Sequence, residues 1–569
     1  MSNRISPAIA LVAFAIAAMI LAQGITAPFV KDAEPQAAGW IQDVASGENI
    51  LLPRDWYGEL ARKPPLFYWM AGAIAAVSGG RVDEVRARIV SVFAGAAIAV
   101  LVLRWASATL GETTGWLAFL FLLGSFGFTS RGTLALEDML LAAFMFAAWC
   151  RLYLMLERGA SHRDVIAIGV LLGLGVLTKG PIAIVLPAFG ILIYLLTMRQ
   201  SIVTLLTQGW PWMAGAIAIA IGSLWYVPAL MSYGGDLARI MFAENAGHFL
   251  PASAGGTGEA ARPFYYIAMR MVGGITPLNF LLPALVVAWI GGEFVAEARK
   301  PLMFQLSFLL AMLVFFSVAS AKRDDYVLPG IPSLAILLAA LFTSLQPSRL
   351  AGRLRDLAVA LVAVISIAGL VTTSIWISTR RIALLAGLNP VDRAQAELFV
   401  KYYVGALSIM FVTLSFALAS CCALIFSGLK RGHPLRIGVG IGFLSLVGVL
   451  MFTAILRPET SRDRTLKYAA ADINRMAPNE PIYVIGENQE LSFYLHRRAP
   501  QMLGPHRELR TLDQPAYLFA YKSDFQGKAA PLRERATLLK QWDRVGKYGS
   551  PALYRLAPDG LKPSTPQGR

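Results

Sequence analysis

Ionisable side chains gather at the edges of apolar blocks in this chain, and their types fit acid–base work beside a phosphate. Asp32 and Glu34 stand at the exit of the first apolar block. A carboxylate placed there, partly desolvated and near a reacting centre, can act as general base toward a sugar or lipid hydroxyl. Asp43, Glu48 and Asp55 lie further along the same loop and have weaker claims. Arg62-Lys63-Pro64-Pro65 closes that loop, and two cations on a fixed turn just above a bilayer suit a lipid phosphate. Arg131, Glu137 and Asp138 sit together in SRGTLALEDMLLAAF, with Asp138 opening an apolar run. Lys179, in LTKGP, has no acidic neighbour in sequence and reads as a second phosphate ligand. Glu244, Asn245, His248, Glu259, Arg262 and Arg270 follow, then Lys322, Arg323, Asp324, Asp325 and Tyr326 in SAKRDDYVLPGIP. A lone histidine does not specify a metal. The same residues also fit plainer duties, as helix caps, solvated loop acids and snorkelling interfacial anchors.

These residues need a membrane to hold them. Hydrophobic residues make up 56% of the 569-residue chain and charged residues only 15%, with a mean hydropathy of +0.57. Soluble domains carry about 25% charged residues. The apolar material comes in blocks long enough to cross a bilayer. A soluble enzyme, a disordered chain and a fibrous repeat are excluded. The three cysteines, Cys150, Cys421 and Cys422, exclude a disulfide scaffold and a cysteine zinc site. The net charge of +16 is spread over short loops between apolar blocks. It points to anionic headgroups and retention of basic loops inside the cell, with no nucleic acid as partner.

The first block, from about residue 7 to 30, reads as a retained span and not a cleaved signal peptide. Later blocks centre on 88–110, 115–130, 138–156, 165–178, 180–198, 210–230, 273–292, 303–320, 327–345, 356–377, 403–427 and 436–456, about thirteen spans in all. Residues 64–80, with a double proline and central glycines, read as an interfacial or re-entrant helix. With the N-terminus inside, the short basic loops 151–164, 297–301, 347–356 and 429–436 face the cytoplasm. Segments 31–87, 131–137, 231–270, 321–326, 377–402 and everything after about 457 then share the outer face, and with them every unusual polar motif. Residues 1–456 are expected to form the membrane domain, with its first outer loop at 31–87, and 457–569 a soluble periplasmic α/β domain. Within the latter, PIYVIG, AYLFAY and ALYRLA read as strands and 532–544 as a basic helix.

The acidic loop after the first span, KPPLFYW, the acid opening span four, LTKGP and KR-x-x-Y-x-LP-x-x-P together resemble the bacterial branch of the protein O-mannosyltransferase superfamily. The chain is similar in particular to the lipid A 4-amino-4-deoxy-L-arabinose transferases. Motif order matches over about residues 1–345, and the span count with an outer C-terminal domain extends the likeness along the chain. The resemblance implies an α-helical polytopic membrane protein of GT-C type with a small C-terminal α/β domain. It implies a multi-pass enzyme of the bacterial inner membrane, working at the periplasmic face. Its donor would be a sugar on undecaprenyl phosphate, its acceptor lipid A or another envelope lipid, and its surroundings membrane lipids.

By the same resemblance Asp32 matches the catalytic aspartate, with Ala37 five residues on, and Asp138 the second important acid. Lys63, Lys179 and Tyr326 match donor-phosphate residues, joined by Arg270 and Arg323. Glu34, Arg62, Arg131, Glu137, His248 and Lys322 are supporting candidates. The pattern departs from the family in three places. Ala33-Glu34-Pro35-Gln36 replaces the usual Glu-x-Arg-Tyr after the aspartate, Arg62 stands where lipid A transferases commonly carry Glu, and His248 where relatives often carry Arg. The first two leave a divalent metal ion as an open cofactor. Inverting transfer follows, with a protein hydroxyl as the alternative acceptor. A lipid-linked-sugar flippase is the alternative class, although such transporters place their charges near the bilayer midplane.

Overall fold

In a computed structural model the chain is mainly helical. The structure describes residues 5–30, 33–245, 247, 262–346, 349–379, 409–501, 511–527, 530–542 and 550–558. Asp32 and His248 lie outside the described residues.

Helix α1 (Pro7–Leu21) starts where the Ser6 hydroxyl accepts from the Ile9 N–H and Pro7 fixes the first turn. A loop carrying α2 (Ala33–Ser46) and α3 (Leu66–Val77) leads to α4 (Glu84–Leu110), capped by Asp83, whose side chain accepts from the Arg86 N–H. Then come α5 (Glu112–Leu123), the single turn α6 (Phe126–Thr129), α7 (Asp138–Arg158), α8 (His162–Lys179) and α9 (Ile182–Thr197). They are followed by α10 (Ile202–Thr207), α11 (Trp210–Asn245), α12 (Tyr266–Gly274), α13 (Leu282–Ile290) and α14 (Ala296–Val318). A 3-10 turn (Asp324–Gly330) opens α15 (Ile331–Thr343), and α16 (Leu350–Thr379), α17 (Ile409–Arg431) and α18 (Pro434–Leu450) complete the bundle.

Every apolar block expected to span the membrane holds a helix. Among the described residues, eight helices are long and apolar enough to cross a membrane, or nine if the pair Tyr266–Gly274 and Leu278–Ile290, bent by 111°, is one span. The α3 helix has 12 residues and rises about 18 Å, short of a ~30 Å hydrocarbon core. Inside the bundle Trp149 of α7 stacks on Phe304 of α14 with ring centroids 3.9 Å apart, and Tyr194 of α9 meets the same ring edge-on. All three cysteines are free and buried.

Charged residues segregate to the two ends of the bundle. At one end Arg151 pairs with Asp164 at 2.8 Å and Lys300 with Glu157 at 2.6 Å. At the other, the loops after α1, α6, α8 and α14 meet the end of α11.

Beyond a π-turn at Met451–Leu456, α19 (Arg457–Arg464) and α20 (Lys467–Met476) lead into a four-stranded sheet of order β1-β2-β4-β3. Strand β1 (Ile482–Val484) runs parallel to β2 (Ala516–Tyr521), while β3 (Ala536–Gln541) and β4 (Pro551–Leu556) are antiparallel to their neighbours. The small α/β unit is therefore present, with one correction. The segment 532–544 was expected to be a basic helix. Its described part is instead a 3-10 turn (Ala530–Arg535) followed by strand β3. Pairing with β4 supplies hydrogen-bond partners along Ala536–Gln541, and sheet context outweighs a weak helical propensity.

Helix α21 (Gln489–Leu495), buried at every residue, plugs this unit into the first loop. Phe29 packs edge-on against Phe493 at 5.0 Å, and Tyr494 Oη accepts from the Phe29 N–H at 2.7 Å while bonding to Glu84 at 3.0 Å. Asp55 is committed to the same joint. Its carboxylate accepts from Gln489, from Gln36 and from the N–H groups of Tyr57 and Glu59.

Candidate active site

The site end is built on the starts and ends of helices. Asp138 is the first residue of α7 and Lys179 the last of α8, so the antiparallel pair brings them together from 41 residues apart. Lys179 Nζ donates to Asp138 Oδ1 at 2.6 Å and stands 3.3 Å from Glu137 Oε1. Lys179 thus has acidic partners that its local sequence does not reveal. Gly180 ends α8 with φ +91°, and a Cβ there would lie 2.8 Å from Asn245 Oδ1. Lys63, held before the Pro64-Pro65 turn, pairs with Glu244 near the end of α11. Tyr326 stacks on Phe316, with centroids 4.4 Å apart. Lys63, Asp138, Lys179, Glu244 and Tyr326 line one cleft of ≈ 80 Å³, whose remaining wall includes Leu141, Met145, Ile182, Phe315 and Phe316.

Asp325 lies on the rim that this cleft shares with a second, larger basin of ≈ 830 Å³. Eight basic side chains (Arg88, Arg131, Arg262, Arg270, Lys322, Arg323, Arg457 and Arg464) line the basin against three acidic ones, Glu34, Asp324 and Asp325. Arg131 Nε donates to Asp325 at 2.9 Å, and Arg270 and Tyr266 both donate to Asp324. Burial by itself would lower the pKa of the Arg323 guanidinium. Asp138, Asp325 and Glu137 instead push it above its ordinary value, and the side chain lines the basin. Lys322 directs its ammonium at the carbonyls of Arg262 and Ala319.

Glu34 sits where the first loop meets the basin. Its carboxylate takes a two-pronged bond from Arg88, Nε–Oε1 at 2.8 Å and Nη2–Oε2 at 3.0 Å, and another from the Ala135 N–H at 3.0 Å. Arg88 also donates to the carbonyls of Ile25 and Ala27. Burial alone would raise the Glu34 pKa, but Arg88, with Arg457 and the Ala135 N–H, holds it below the ordinary value. Arg457 reaches Thr133 as well, tying α19 to the loop before α7.

The structure therefore brings together Lys63, Asp138, Lys179 and Tyr326 around the cleft, with Glu137 beside Lys179, and Glu34, Arg131, Arg270, Lys322 and Arg323 around the basin. Arg62 stands apart: its side chain is half exposed and pairs with Glu59 at 3.1 Å. For a divalent metal the fit is poor. Asp138 and Glu137 are engaged by Lys179, Glu244 by Lys63 and Glu34 by Arg88, and among the described residues no three His, Cys, Asp or Glu side chains converge as a ligand set.

Comparison with known proteins gives this geometry a context. Residues 62–226 match the dolichyl-phosphate-mannose-protein mannosyltransferase family. Two relatives named undecaprenyl phosphate-α-4-amino-4-deoxy-L-arabinose arabinosyl transferase are 28% identical over 287 residues (Yersinia enterocolitica) and 30% over 298 residues (Yersinia pestis strain Pestoides F). Each match covers 49% of this chain and 49% of the relative, so the chain spans about half the length of the relatives it matches. The crystal structure of ArnT from Cupriavidus metallidurans bound to undecaprenyl phosphate superposes with a TM-score of 0.71 at 18% identity, covering 98% of this chain and 100% of that one. This chain shares the fold of ArnT. The Archaeoglobus fulgidus oligosaccharyltransferase in its apo form is more distant, with a TM-score of 0.51 at 12% identity, covering 97% of this chain and 75% of its own.

On this frame, sequence reasoning missed Arg88, Arg457 and Arg464, and it did not single out Glu244 as a partner of Lys63. Arg88 had a signal: a cation at the head of the apolar block 88–110, with 1% of its surface exposed, is expensive unless fully partnered. Arg457 and Arg464 look like ordinary charged residues after the last apolar block. Only the return of α19 onto the loop before α7 gives them a place in the basin.

Proposed function

We propose that this chain is an integral membrane glycosyltransferase. It moves a sugar from a polyprenyl-phosphate carrier, undecaprenyl phosphate being the expected one, to lipid A or another envelope lipid. The chemistry takes place at the periplasmic face of the bacterial inner membrane. One observation carries the reading: a cleft with two lysines and an apolar wall adjoins a basin with a large excess of cations. A carrier needs both a greasy channel and charge at its phosphate, and an anionic headgroup acceptor needs a polar, basic approach.

In the proposed reaction the acceptor hydroxyl oxygen attacks the anomeric carbon from the face opposite the phosphate. The bond from that carbon to the phosphate oxygen breaks with inversion, and the polyprenyl phosphate leaves with the electron pair. The hydroxyl proton passes to Asp32, the proposed base; Ala33 and Glu34, next in the chain, line the basin. Lys63, Lys179 and Arg323 meet the charge growing on the leaving phosphate, and cations already in place need no reorganisation. Asp138 holds Lys179 and orients the sugar or acceptor. No step is routed through a metal.

The test is mass spectrometry of envelope lipids from a strain lacking the gene, complemented with wild type or Asp32→Asn. A glycan-sized mass should vanish on deletion, return with wild type and stay absent with well-expressed Asp32→Asn. Equal restoration by both would remove Asp32 from the role of base, and an unchanged lipid profile would remove the lipid acceptor.

A further inference from the structure

The cleft carries its own anion. Lys63 and Lys179 bring two positive charges to it, against the carboxylates of Glu137, Asp138 and Glu244, while Asp325 on the rim is already engaged by Arg131 and Arg323. The cluster has no cation to spare and is mostly buried, with side-chain exposures of 9–17% for the two lysines and their three carboxylate partners. A phosphate entering it adds uncompensated negative charge in a region of low dielectric, so one carboxylate has to give way.

The three carboxylates differ in what holds them. Glu137 and Asp138 are consecutive at the start of α7, share Lys179, and lie at the favourable positive end of that helix. Glu244 is the penultimate residue of α11, at the end where a helix dipole disfavours an anion. The segment bearing it is set off from the rest of α11 by a kink. Gly234 breaks the helix with φ 54° and ψ −133°, and the space beside Gly234 and Gly235 is open. Residues 235–245 thus form a short arm that meets Lys63 through Glu244.

We infer that Glu244 competes with the carrier phosphate for Lys63: the carboxylate is a built-in stand-in for the phosphate, giving up the lysine when the donor binds and reclaiming it to expel the product. This inference rests on the polyprenyl-phosphate reading above. The product is a phosphate monoester with more charge than the donor diester, so it grips Lys63 more tightly than the donor does. A competing carboxylate shortens its stay, and Glu244 is therefore a positioning residue for product release.

The experiment measures binding of polyprenyl phosphate to the purified full chain in detergent, together with single- and multiple-turnover transfer. Wild type should bind and Lys63→Met should lose most binding; if neither binds, the carrier reading itself fails. Given wild-type binding, Glu244→Gln should tighten it about tenfold, or about 1.4 kcal/mol. Multiple-turnover transfer should slow relative to single-turnover transfer, because release of the carrier and not the transfer step is what the substitution delays. Equal or weaker binding by Glu244→Gln overturns the inference, because a carboxylate that merely props Lys63 in place would show that result. If Glu244→Gln does not fold, Glu244→Asp makes the same test: with its carboxylate one methylene further back it should also tighten binding, by less, and unchanged or weaker binding overturns the inference.

Discussion

Glu34 and Arg88 bury opposite charges in a two-pronged pair that also collects the carbonyls of Ile25 and Ala27 and the N–H of Ala135. Removing Arg88 leaves the buried Glu34 carboxylate with only the Ala135 N–H and the more distant Arg457, so Arg88→Met should destabilise the protein by about 3 kcal/mol, read as a fall in thermal midpoint in detergent. A pH dependence follows. The folded Glu34 pKa lies below its ordinary value of 4.5, so the pair's stabilisation is complete above that value and is lost as pH falls through the folded pKa. Glu34→Gln should flatten that acid loss of stability; an unchanged acid limb would mean other carboxylates dominate it. At the cleft, Lys179→Met removes a preorganised cation from the leaving phosphate and should lower kcat by about 10²–10³-fold. Near-normal kcat in a folded variant would take Lys179 out of the phosphate site.

Among elements, the joint between the first loop and the C-terminal unit decides how well the site end is held. Tyr494 reaches both Phe29 before the loop and Glu84 after it. Tyr494→Phe leaves the buried Phe29 N–H without its partner, and a cost of about 1–3 kcal/mol is expected, measurable as faster proteolysis between residues 457 and 482. The turn after α8 is similarly constrained. Gly180→Ala forces a side chain into φ +91° against Asn245, costing about 1–3 kcal/mol. It should also reduce transfer by displacing Lys179, and full activity would show that the turn has slack.

Legibility in the sequence divides at this scale. Apolar block length located the helices because the requirement for about 20 apolar residues acts locally. The motifs KPPLFYW, LTKGP and KRDDYVLP marked Lys63, Lys179 and Arg323 because cations at span ends stand out. Their partners did not show, since the link between Lys63 and Glu244 crosses 181 residues and is made by helix packing. Strand β3 was misread because its hydrogen bonds come from β4, not from its own residues.

For the whole molecule, the proposed polarity of the bundle puts the site end outward and the end bearing Arg151, Asp164 and Lys300 inward. In intact cells a membrane-impermeant thiol reagent should label Glu48→Cys at the site end and spare Ala160→Cys at the other. Both positions are exposed, and the native cysteines are buried. Reversed labelling would invert the orientation.

The central claim, sugar transfer from a lipid phosphate, is tested most directly with purified full-length protein in detergent, given a synthetic polyprenyl-phosphate-linked sugar and an envelope-lipid acceptor, without nucleotide sugar or ion gradient. The account predicts glycosylated acceptor and free polyprenyl phosphate in equal amounts, both abolished by Lys63→Met. Release of neither sugar nor carrier by well-folded wild type, across a panel of donor sugars and acceptors, would contradict it.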